Sequence, residues 1–125
     1  MNKVKIELPV DQATQQAKQF LEEKGFTIFA HIDHKANAAK VDLELAASQL
    51  IIFGNPLAGT KLMQSDITMS LELPLRVAFV EIEGSTFLLN QTSEVYQANY
   101  NVIGHPVLEK IEQLFTAMSN TLRKQ

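Results

Sequence analysis

Two short stretches hold residues whose types and spacing can do chemistry. The first is Leu50-Ile51-Ile52-Phe53-Gly54-Asn55-Pro56-Leu57-Ala58-Gly59-Thr60-Lys61, an apolar strand that runs into a Gly-Asn-Pro turn and then a Gly-Thr helix start. Gly54-x4-Gly59-Thr60-Lys61 differs from a nucleotide phosphate loop by the exchange of its last two residues. That exchange removes the chemistry. The loop needs its ammonium at the β and γ phosphates with a hydroxyl beside it for magnesium, and one step along a helix turns a side chain by roughly 100°. Pro56 also deletes a backbone N–H from the cradle. Two readings follow. In one, Gly54 and Gly59 permit tight turns and Asn55 bonds back to the chain, making a structural corner. In the other, the N–H groups of Gly59 to Lys61 open a helix and attract negative charge, with the side chains of Thr60 and Lys61 assisting. Asn55, Gly59, Thr60 and Lys61 are therefore the candidate ligand-binding residues.

The second stretch is His31, Asp33 and His34. Strand alternation puts His31 and Asp33 on one face and sends His34 to the other, so the three do not converge on one metal, and no metal site is assigned. Histidine titrates near neutral pH, so Asp33 and His34 are the candidate catalytic pair, acting near the Gly54-Asn55-Pro56 turn. No nucleophile or oxyanion donor accompanies them. The structural alternative is that Asp33 caps the turn that follows. Met63, Met69, Phe79, Phe87, Phe115 and Met118 serve either as core or as the lining of a pocket between a sheet and the terminal helix.

Composition limits what these residues can belong to. A length of 125 residues with 46% hydrophobic content builds one ordinary core, hence one domain spanning 1–125. With 11 basic against 14 acidic residues and a net charge of −3, there is no basic stripe to follow a phosphate backbone, so nucleic acid is not an expected partner. The absence of cysteine removes disulfides, thiolate metal sites and cysteine nucleophiles. Residues 1–9 lack the apolar run of a secretion signal, and no segment approaches the ~20 apolar residues of a membrane span. A cytoplasmic location is expected.

The elements that must position these residues are readable from periodicity. Val4, Ile6 and Leu8 alternate with charged residues as a strand, which Pro9 ends. A helix follows, with Asp11 as its cap, an apolar stripe of Val10, Ala13, Ala17, Phe20 and Leu21, and Gly25 as its stop. Residues 26–33 form the second strand, with Ile28, Ala30 and Ile32 on one face and Phe29, His31 and Asp33 on the other. Residues 34–47 read as a short helix or turn and then extended chain, and 50–53 as a strand buried on both faces. A short helix over 59–65 precedes a strand over 75–82, and Glu83-Gly84 turns the chain into a hairpin partner over 85–89. Residues 92–104 read as irregular. Pro106 opens a terminal helix whose apolar face is Val107, Leu108, Ile111, Leu114, Phe115, Met118 and Leu122, with Glu109, Lys110, Glu112 and Gln113 opposite. The result is an α+β domain: a curved, mainly antiparallel sheet of about five strands with two main helices on one face.

The blocks Gly25-Phe26, Ile32-Asp33-His34, Phe53-Gly54-Asn55-Pro56, Gly59-Thr60 and Leu73-Pro74-Leu75 stand in the order and spacing of one family. The chain resembles the domain of unknown function family 302, most closely over residues 25–84. The resemblance implies a fold of the TATA-binding-protein-like group and a homodimer, and it implies no activity and no cofactor. Two departures stand out: Ala46-Ala47-Ser48 replaces an Arg-Pro-Thr-like segment, and Asn90 stands where a tyrosine closes the last strand. The expected function is a homodimeric module that binds a small molecule or anion. An enzyme using Asp33 and His34 and a ligand-free interaction module are the rival expectations.

Overall fold

The computed structural model describes residues 1–123. Five strands, β1 (Asn2–Ile6), β2 (Thr27–Asp33), β3 (Ser48–Gly54), β4 (Leu75–Ile82) and β5 (Ser85–Asn90), form one antiparallel sheet in the order β1-β5-β4-β3-β2. The helices are α1 (Val10–Glu23), α2 (His34–Ala39), α3 (Pro56–Ser65), α4 (Ser93–Asn99) and α5 (Pro106–Arg123). A 3-10 turn over Ile67–Leu71 follows α3. This is the expected α+β architecture.

Strands β2 to β5 are a meander, each paired with the next, so α1 alone must carry the chain from the β1 edge to the β2 edge. Its 14 residues extend about 21 Å at 1.5 Å each. That matches the roughly 19 Å across four interstrand spacings. Val10, Ala13, Ala17 and Leu21 bury the stripe that faces the sheet, and Gly25, at φ +87°, reverses the chain after it. Asp11 does not cap this helix. Pro9 occupies the cap position without a side-chain bond, and Asp11 sits inside the first turn with its carboxylate accepting from Gln49.

Helix α5 lies beside α1 on the same face, where Leu108, Phe115, Met118 and Leu122 pack against Ile51, Val77, Phe79 and Leu88. Phe53 stands edge-on to Phe26 and to Phe115, with ring centroids 5.6 and 6.0 Å apart. The β4–β5 hairpin turns through Glu83 and Gly84, both at positive φ, as a two-residue turn of this hand requires.

Three further expectations are corrected. A bulge between Ile28 and Ala30 shifts the register of β2, so Ile28 joins His31 and Asp33 on the helix face, while Ala30 and Ile32 turn to the other face. The strand β3 is not buried on both sides: Gln49, Ile51 and Phe53 are covered by the helices, whereas Leu50 and Ile52 are half-buried. Residues 93–99 are helical, because burying Tyr96 and bonding the Ser93 hydroxyl to Glu112 of α5 give this polar segment a face to pack.

Candidate ligand-binding site

The Gly54-Asn55-Pro56 turn is a helix start. Asn55 takes extended backbone and its Oδ1 accepts from the Leu57 N–H at 2.9 Å, while Pro56 occupies the first helical position, where its missing N–H costs nothing. Helix α3 therefore begins three residues before Gly59, and the Gly59 N–H is already given to the Asn55 carbonyl at 3.1 Å. This corrects the expectation that the N–H groups of Gly59 to Lys61 are free for an anion, because they lie in the helix interior. Neither Gly54 nor Gly59 adopts positive φ; a Cβ at Gly54 would meet the Phe29 ring at 3.3 Å, a tight approach, and Pro74 at 3.5 Å, an ordinary contact.

What α3 does supply is the wall of a cavity of about 230 Å³ between its first turns, the start of β4 and helix α5. Leu75, Val107 and Ile111 form the buried floor, and Phe26, Leu73 and Leu114 form half-buried sides. Leu57 and Asn55 stand exposed at the mouth. Two lysines line the same space, Lys61 from α3 and Lys110 from α5, and no carboxylate does. Among the described residues neither lysine forms an ion pair or hydrogen bond. Of the expected ligand-binding residues, Asn55 and Lys61 thus meet at one cavity, while Gly59 and Thr60 do not line it. Lys110 was assigned to the polar face of the terminal helix. It stands one turn from Val107 and one turn from Leu114, so its position borders the apolar stripe, and that spacing was the available signal. Of the six residues named as a possible pocket lining, Met69, Phe79, Phe115 and Met118 are buried in the core.

The histidine cluster is dispersed. Asp33 accepts from the Ala36 N–H at 2.9 Å and caps α2, and His34 is exposed in the first turn of that helix. Asp33 pairs with Gln49 at one end of β3 and Gly54 lies at the other end. At about 3.4 Å per residue, that places the acid–base candidates on the order of 17 Å from Gly54. His31 instead receives a bond from Lys18 at 3.3 Å and bonds through Nε2 to the side-chain Oε1 of Gln49 at 2.5 Å, while the buried Gln49 side-chain amide Nε2 donates to Asp11 at 2.5 Å. This chain ties α1 to the sheet and satisfies the one polar side chain that β3 buries. His105 Nδ1 accepts from the Val107 N–H at 3.1 Å at the start of α5. Among the described residues no group of three or more His, Asp or Glu side chains is arranged to hold a metal.

A second polar cluster ties the loops together. Tyr100 donates to Glu72 at 2.7 Å, which raises the tyrosine pKa, and Arg76 approaches the other oxygen of Glu72 at 3.7 Å. Burial raises the pKa of Tyr96 beside them. Asp66 is held below its usual value first by the Thr68 hydroxyl, then by the Asn101 and Thr68 N–H groups. At the two departures from the family pattern, Asn90 is buried and accepts from Asn2 at 3.0 Å, and the Ala47 carbonyl accepts from Glu81 at 2.9 Å. Both positions are satisfied structural joints.

A two-layer α+β domain with a small, basic-rimmed apolar cavity is thus the class defined by fold and site. The chain belongs to the domain of unknown function family DUF302, which matches residues 2–122. It is similar to the crystal structure of an uncharacterized conserved DUF302 protein from Bacillus stearothermophilus, with a TM-score of 0.82 and 12% identity over 98% of this chain and 97% of that one, a likeness of fold. It is 43% identical over 65 residues to the fluoride-specific ion channel FluC 1 of Brucella suis biovar 1, a match covering 51% of this chain and 26% of the relative. FluC 2 of Brucella melitensis biotype 1 is also 43% identical over 65 residues, 51% of this chain and 24% of that protein. The matched stretch is about a quarter of the length of these curated relatives. Among the described residues no helix is long and apolar enough to cross a membrane.

Proposed function

We propose that this domain is a binding module, not an enzyme, that holds a small anionic molecule in the cavity beside Asn55 and Lys61. The observation that carries the reading is the unpaired cationic rim of that apolar cavity, Lys61 and Lys110 without a lining carboxylate, on a chain whose net charge is −3. Fluoride is not carried over from the channel relatives, because a bare, strongly hydrated ion gains nothing from apolar walls. Small anions added at millimolar concentration should raise the melting temperature by mass action. Loss of that shift in Lys61→Ala would locate the site, and no shift with any anion would count against it.

The second reading concerns assembly. The sheet face turned away from α1 and α5 presents half-buried Ile32, Leu50, Ile52, Val80, Phe87 and Leu89, with Phe29 54% exposed at its margin. Lys3, Lys5 and Arg76 share this face, and the apolar residues between them favour covering by a partner. A second copy is the partner taken here, in a cytoplasmic homodimer with the two sheet faces packed about a twofold axis, which sets the same apolar residues against themselves.

A further inference from the structure

We infer that the ligand is a small free carboxylic acid with an apolar body, a short acyl or aromatic monocarboxylate, whose head lies between Lys61 and Lys110. The inference rests on the proposal that this cavity is the ligand site and specifies what enters it. Size comes first. About 230 Å³ falls below the roughly 300–1,000 Å³ of sites that enclose drug-sized ligands. A ring or a chain of several carbons is of the size such a space encloses, whereas most of a nucleotide would stay outside it.

Chemistry then separates head from tail. The floor and sides are hydrocarbon, from Phe26, Leu73, Leu75, Ile111 and Leu114. A hydroxyl or second charge placed there would lose its hydration without a partner. The charged groups belong to two exposed lysines on different helices, Lys61 of α3 and Lys110 of α5, which border the space from its solvent side. A carboxylate at the rim keeps part of its hydration and meets two cations, while the body attached to it removes apolar surface from water. Inorganic anions satisfy only the first condition and neutral hydrocarbons only the second. Asn55 already spends its Oδ1 on the Leu57 N–H, which leaves its amide N–H2 as the neutral donor at the mouth.

The test is calorimetry of the full chain with butanoate, hexanoate, octanoate, benzoate, 1-octanol and inorganic phosphate, using wild type, Lys61→Met and Lys110→Met. Methionine keeps an apolar stem and removes the charge. Affinity is expected to rise about fourfold per added methylene up to the length that fills the cavity. Each methionine variant should weaken carboxylate binding about tenfold and leave 1-octanol unchanged. Leu114→Trp, which fills the cavity from a half-buried side, should abolish octanoate binding while retaining a cooperative melt. Equal affinity for 1-octanol and octanoate, or carboxylate binding indifferent to both lysine changes, would overturn the inference. Phosphate binding that depends on Lys61, with no binding of any apolar carboxylate, would overturn the inference and leave the anion-module proposal standing. No binding of any probe would sink both.

Discussion

Asp33 and Asn55 do the same work at opposite ends of β3. Each side-chain oxygen accepts the N–H of a residue in the helix that follows, Ala36 and Leu57 respectively, both at 2.9 Å. The asparagine has a second use because its helix borders the cavity, whereas the aspartate borders only exposed chain. Asp33→Ala is expected to lower unfolding free energy by about 1 kcal/mol, the usual value of an N-cap. His34→Ala, an exposed change without a lost partner, is expected to stay within about 0.5 kcal/mol. Urea denaturation of both variants checks this. A His34 variant as costly as the Asp33 variant would mean that the imidazole holds structure the fold does not display, and a lost turnover at unchanged stability would restore the catalytic reading.

Helix α3 determines whether the Gly-Asn-Pro motif is an anion loop or a wall. Because Pro56 pre-sets the backbone and Asn55 caps it, the helix starts early, and Gly59 falls at an interior position where glycine is a poor choice. A Cβ at Gly59 would meet Leu73 at 3.8 Å and Met63 at 4.0 Å, ordinary contact distances. Gly59→Ala is therefore expected to stabilise the domain by about 0.5–1 kcal/mol, read as a higher urea midpoint at unchanged slope. Destabilisation would show that the glycine is required by close approach of Leu73 and Met63. At Gly54 an added Cβ would sit 3.3 Å from the Phe29 ring, a side chain 54% exposed that must shift by a few tenths of an ångström to admit it.

At the scale of the molecule, two long helices cover one face of the sheet and leave the other to solvent or to a partner. Ile52→Glu and Leu89→Glu place charge on that open face without touching the helix-side core. Both variants are expected to sediment as monomers where the wild type sediments as a dimer, with cooperative melts retained. A wild-type chain that stays monomeric at high micromolar concentration would refute the face-to-face assembly. The cavity lies at the end of the sheet, between α3 and α5, so carboxylate binding should be the same in the monomeric variants.

Local periodicity carried the strands, both long helices, the Glu83-Gly84 hairpin and the Gly25 stop, because those features follow from which side chains alternate and which residue tolerates positive φ. The family was also legible, since its short blocks occur in order along the chain and the match spans residues 2–122. What periodicity could not carry was anything set by contact between distant segments. The β2 bulge sets Ile28 and Ala30 on opposite faces, where strict alternation puts them on one, and it is a property of pairing with β3. The 93–99 helix forms because α5 offers it a surface. Lys61 and Lys110, 49 positions apart by their numbers, share a cavity only once α5 returns across the end of the sheet to α3. Which residues can cap, turn and alternate is legible along the chain, because those are one-dimensional preferences of the backbone. Tertiary structure alone decided which charges share a space and which sheet face stays open, because burial and proximity arise from packing segments far apart in the chain.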